Sequence, residues 1–212
     1  MFDWIVKGGP IMFPILLGSV VGLAIVFERG YLWWRLRLDA QRLTDDVLQL
    51  VRSDRSAEAR QRCAATAHPV ARVLRVGLSH TEQELPDIER LMQQEGERVV
   101  QELERHLGGL SSLVTIEPLL GFLGTITGLI RSFRAWEHAG AEVTVSALAA
   151  GIYEAMLTTA VGLSVAIPLF LAYQHFMHRT KRLAFEMTDS GNALLQALSA
   201  TTRSSHARST VA

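Results

Sequence analysis

Two long apolar tracts constrain this chain more than anything else in it. Ile11 to Phe27 carries no charge, and the run resumes past Glu28 and Arg29 with Tyr31, Leu32, Trp33 and Trp34. A membrane-spanning helix needs about 20 apolar residues, and the aromatic residues suit an interfacial belt. A secretory signal peptide would want a basic start, a shorter core and a small-residue cleavage site. Lys7 is the only basic residue ahead of this core, and Glu28-Arg29-Gly30-Tyr31 offers no such site, so the tract reads as a retained anchor. The second tract, Leu110 to Phe176, is long enough for two spans. Arg131, Arg134, Glu137, His138 and Glu142 cluster around Gly140 and mark a turn between them.

The expectation is an all-α integral membrane protein with three transmembrane helices and long helices extending into the cytoplasm. Residues 1–34 form the outer N-terminus and first span, and 35–110 a helical segment. Residues 111–178 hold the second and third spans with a turn near 137–142, and 179–212 form a tail, disordered from Thr201 on. Basic residues favour the cytoplasmic side. Arg29, Arg35, Arg37 and Arg42 follow the first span, and Arg179, Lys181 and Arg182 follow the third, so the N-terminus is placed outside. A lone Cys63 in the middle segment agrees with a reducing cytosol.

Within the middle segment, Ile88, Leu91, Met92, Val99, Leu103, Leu107 and Leu110 recur at helical spacing. Pro86 suits the first turn of that helix. The helix is predicted to run toward the second span, with Gly108-Gly109 as its weak point. A shorter helix is predicted to hold Val70, Val73, Leu74 and Leu78, after His68-Pro69.

Glu154 is the sharpest chemical signal. It stands in an apolar span with no basic residue on its own helix within two turns. A charge at mid-membrane costs about 2.5–3.5 kcal/mol on insertion scales, and acids there mark ion pathways. The plainer reading is a protonated carboxyl that hydrogen-bonds between helices. Ala147, Ala150, Gly151, Thr158 and Gly162 fall within about 80° of Glu154 on a helical wheel. Pro118, Gly121, Gly124, Thr125, Gly128 and Ser132 make a similar face on the preceding span. Such small-residue faces let helices approach closely, and they are expected to need partners. With an apex near Ala139–Gly140, Thr125 and Glu154 lie about 15 residues either side, at one depth.

Glu117 admits two readings. On the wheel it joins the inward face, about 40° from Gly121, where a ring of carboxylates at a pore mouth would attract cations. Alternatively it favours the start of a helix, worth about 0.3–1 kcal/mol. Other chemistry finds no support. The histidines are scattered, His175 and His178 suit an interfacial anchor, and no H-E-x-x-H, Cys-x-x-Cys or phosphate loop occurs. No nucleophile–base pair suggests an enzyme, no cofactor is implied, and no basic, aromatic-interleaved surface suits nucleic acid.

Ile116-Glu117-Pro118-Leu119-Leu120-Gly121-Phe122-Leu123-Gly124-Thr125-Ile126-Thr127-Gly128-Leu129-Ile130 resembles the second span of the TolQ/ExbB/MotA proton-channel family. Gly151 to Leu163 resembles its third span, and Gly8-Gly9-Pro10-Ile11-Met12 with Glu28-Arg29 resembles the limits of its first. The resemblance implies a multi-pass protein of the bacterial inner membrane, a pentamer around single-span ExbD/TolR-like partners that each bring an intramembrane Asp. Protons would pass by that Asp, Glu154, Thr125 and Thr159, although Thr158 suits the Glu154 face better. The work would reach a TonB- or TolA-like protein, energising outer-membrane transport or envelope maintenance. A four-span flagellar stator fits less well. Glu117 departs from the family, which usually has a small residue before the proline. The alternative is a non-conducting helical scaffold.

Overall fold

The structure is a computed structural model that describes residues 9–36, 40–139 and 145–209. Every element among them is helical: α1 (Met12–Arg35), α2 (Ala40–Arg52), α3 (Ser56–Ala64), α4 (Pro69–Ser79), α5 (Leu85–Glu104), α6 (Leu107–Ala139) and α7 (Val145–Ser209). Three helices are long and apolar enough to cross a membrane, in α1, α6 and α7. The N-terminal Lys7 and Gly8, and the apex of the turn expected near 137–142, lie outside the described residues.

Local chemistry explains the helix limits. His68 caps α4 by accepting the Val70 N–H at 3.3 Å, with Pro69 behind it at the first helical position. Pro86 likewise opens α5. The interruption between α5 and α6 falls at Arg105–His106, and Gly108 and Gly109 are helical. Glycine costs a helix about 1 kcal/mol without forbidding its backbone angles. At the interruption His106 directs Nδ1 to Glu28 Oε2, 2.8 Å away, and to Arg29 Nη2, 3.1 Å away. The end expected to be disordered from Thr201 continues α7 through Ser209, since Thr201 to Ser209 contains no proline or glycine to stop it. At 65 residues α7 far exceeds the ~20 that a bilayer core accommodates.

The chain divides into two compact units, Met1–Tyr31 with His106–Phe176, and Leu32–Arg105 with Met177–Ala212. In the first, α1, α6 and the apolar part of α7 pack through small residues. A Cβ placed on Gly162 would lie 2.8 Å from Glu117 O and 3.1 Å from Gly121 Cα; one on Gly128 would lie 2.9 Å from Ala155 Cβ. The two small-residue faces that the sequence left in need of partners therefore meet each other within one chain. Outside this seam, Leu119, Phe122, Leu123, Ile126, Ile130 and Phe133 on α6, and Met156, Leu163, Ile167 and Leu171 on α7, stay exposed. Apolar stripes on that scale suit lipid or neighbouring subunits.

The second unit has a conventional core. Val47, Val51, Ala59, Cys63, Val70, Leu74, Ile88, Met92, Val99, Leu183, Met187 and Leu194 are buried. The hydroxyls of Thr44 and Ser190 meet inside it at 2.8 Å, and Arg72 joins α4 to α5 through Glu95 at 2.8 Å and Glu102 at 2.6 Å. Burial pushes the Cys63 thiol up to about 11, which leaves it unreactive at neutral pH.

Gly162→Val should force α6 and α7 apart, because the atoms in its way are backbone. A loss of about 1–3 kcal/mol is expected, read as a lowered thermal midpoint in detergent. Gly108→Ala, with nothing within 4 Å of the added carbon, should be neutral or mildly stabilising. Equal behaviour of the two variants would contradict the packing seam. A second outcome concerns pH. Burial lowers the pKa of His68, with Glu186 acting weakly the other way. Its stabilising effect is therefore complete above about pH 6.5, the unfolded value, and fades as pH falls toward the folded one. His68→Asn keeps the cap and should flatten thermal stability between about pH 5 and 7; an equally steep fall in both proteins would assign the effect elsewhere.

Candidate functional site

The glycine seam brings side chains of α6 and α7 together at two levels. At one level Thr125 Oγ1 lies within hydrogen-bond distance of the Thr159 hydroxyl and 3.0 Å from Ala155 O, to either of which it can donate. Thr159 Oγ1 lies 2.9 Å from Gly121 O, so the two hydroxyl protons fill two of these three contacts at a time. The two hydroxyls thus bridge both backbones, in a place that Gly121 keeps open. Thr158 behaves differently. It is buried against Gly124, and its hydroxyl favours Ala155 O of its own helix at 2.7 Å over Gly121 O across the seam at 3.4 Å. Of the two threonines left open by the sequence, Thr159 is the one that meets Thr125.

About one and a half turns along α7 from Thr159, Glu154 meets α6 at a second level. Arg131 Nη2 lies 3.0 Å from Glu154 Oε1, the carboxylate being partly and the guanidinium half exposed. The hydroxyl pair is therefore offset from the carboxylate rather than opposite it. The reason is register: Gly128 packs on Ala155, so Thr125 falls beside Thr159. The sequence marked Arg131 as a turn residue at the helix end and gave no sign that it turns back to an acid on the next helix.

Glu117 does not stand at the start of a helix. α6 begins ten residues before it, so no helix N-terminus lies there. Its side chain is 1% exposed, inside the subunit, with Oε1 and Cδ over Gly18 of α1. Oε2 has no hydrogen-bond partner among the described residues. Also among the described residues, no cluster of three or more His, Cys, Asp or Glu could hold a metal ion.

Three apolar helices, an acid in the third, and hydroxyls bridging the second and third define a multi-pass helical membrane protein with an ionisable centre inside its spans. Residues 65–189, more than half of the chain, match the sequence profile of the MotA/TolQ/ExbB proton channel family. The chain belongs to that family. An ExbB-like biopolymer transport protein of Synechocystis is 33% identical over 82% of this chain and 69% of its own length. The biopolymer transport protein ExbB of Salmonella typhimurium is 28% identical over 78% and 71%. The Tol-Pal system protein TolQ of Pseudomonas aeruginosa is 32% identical over 56% and 43%.

Glu117→Met removes a buried carboxyl with an unsatisfied oxygen and keeps a similar volume. Replacing such a group by an apolar one is neutral or stabilising, so the thermal midpoint in detergent should hold or rise. A fall of several degrees would show that the carboxyl has a partner in the assembled protein.

Proposed function

We propose that this chain is the channel-building subunit of a proton-driven motor, coupling the inner-membrane proton motive force to mechanical work. The observation that carries the reading is the intramembrane Glu154 beside hydroxyls that bridge two spans. Protons pass by Glu154, Thr125 and Thr159, while Thr158 packs the seam. Glu117, closed inside the subunit, tunes packing of the first span and lies off the main route. Five subunits surround single-span ExbD/TolR-like partners with an intramembrane Asp, which pass work to a TonB- or TolA-like protein. The N-terminus is outside, and the second unit is cytoplasmic. Similarity to proteins named for ExbB and for TolQ supports this class of work without separating outer-membrane transport from envelope maintenance.

A non-conducting scaffold is the second reading. It draws on the Arg131–Glu154 pair, which can be a static link between helices. Glu154→Gln distinguishes them, because glutamine keeps the size and hydrogen bonding of a protonated acid but releases no proton. With the partner present in liposomes, the variant should assemble as the parental ring, by native mass measurement, yet show no proton flux. Parental flux in the variant would sink the channel reading, and a monomer that conducts would sink the ring.

A further inference from the structure

Arg131 and Glu154 both lie within stretches apolar enough to cross a membrane, Leu107–His138 and Ala149–Thr201. Unpaired there, each would carry a cost of about 2.5–3.5 kcal/mol, which is why intramembrane charges pair. Two contacts fix the guanidinium: Nη2 is 3.0 Å from Glu154 Oε1, and Nε lies 3.4 Å from Thr127 O on its own helix. A third element closes over the pair. Gly9, at the turn into α1, has φ +68°, a conformation that favours glycine. A Cβ there would lie 3.1 Å from Arg131 Nη2 and 3.5 Å from Glu154 Cδ, so the turn rests directly on the two charges. Position 9 favours glycine for its backbone angle, and an added Cβ would displace the ends of the two charged side chains.

We infer that Arg131 and the Gly9 turn form a latch over the Glu154 carboxyl, and that the latch opens when Glu154 takes up a proton. The consequence for proton flow rests on the channel reading; the latch itself does not. Charge balance couples the two groups. A proton delivered by water to Oε1, the oxygen that Arg131 holds, occupies that acceptor site and removes the counter-charge, and the guanidinium then shifts toward the Thr127 carbonyl, already 3.4 Å from its Nε. Proton uptake and release of Arg131 are thus one event, and a partner that draws Arg131 away would load the acid. Arg131 acts here as a positioning residue, through Glu154.

The test does not depend on conduction. A hydrophobic carbodiimide modifies protonated carboxyl groups, and peptide mass spectrometry resolves Glu154 from Glu117. In the full chain in liposomes, Arg131→Gln should raise the rate of Glu154 modification severalfold, because the guanidinium no longer occupies the carboxyl oxygen that the reagent must reach. Arg131→Lys should restore the slow rate, and Gly9→Ala should speed modification by displacing the turn. Glu117, away from the latch, should react at the same rate in all of them. Equal Glu154 rates in the parent and Arg131→Gln, or a lysine variant that behaves like glutamine, would overturn the latch. Should Arg131→Gln fail to fold, the contrast among parent, Arg131→Lys and Gly9→Ala decides. Loss of flux in Glu154→Gln bears on the channel reading alone.

Discussion

α6 and α7 run at a separation that only glycine permits, with Gly121 and Gly162 backbone to backbone and Gly128 against Ala155. In lipid there is little hydrophobic drive to bring helices together, so close van der Waals contact between small residues supplies the attraction. The same closeness lets short side chains reach across. A threonine hydroxyl extends only a few ångströms from its backbone, yet Thr125 meets Ala155 O and Thr159 meets Gly121 O. A wider seam with alanine or valine would break those bridges while leaving three spans intact.

The polar groups inside the apolar unit are handled in three different ways. Glu154 is balanced by a cation from the neighbouring helix, and the threonines are satisfied by carbonyls and by each other. Glu117 has a buried oxygen with no partner among the described residues. A paired, partly exposed acid comes within reach of water once its cation moves aside, whereas a sealed one needs movement of α1. That difference in access separates a group suited to cycling from one suited to packing, although both are glutamates on apolar helices.

Outside the spans the chain follows the rules of soluble proteins. A capped α4, a proline-led α5 and a continuous apolar core order the second unit, and Arg72 links its helices by ion pairs. Exposed pairs of that kind contribute about 0–1 kcal/mol each, so the core carries the unit.

Much of this was legible in the sequence because it depends on local chemistry. Uncharged runs of about 20 residues specify spans regardless of their neighbours, and the helical period of Ile88 to Leu110, the proline starts and the small-residue faces are properties of single helices. Glu154 stood out for the same reason: a charge in an apolar run is visible without a fold. What the sequence left open were relations between helices. Whether a glycine face meets another subunit or the next span, whether Thr158 or Thr159 meets Thr125, where Arg131 turns, and that Glu117 lies over Gly18 all depend on the register of one helix against another. A shift of one turn in that register moves each contact by about 5.4 Å, which no periodicity along a single helix encodes. Only close packing in three dimensions selects it.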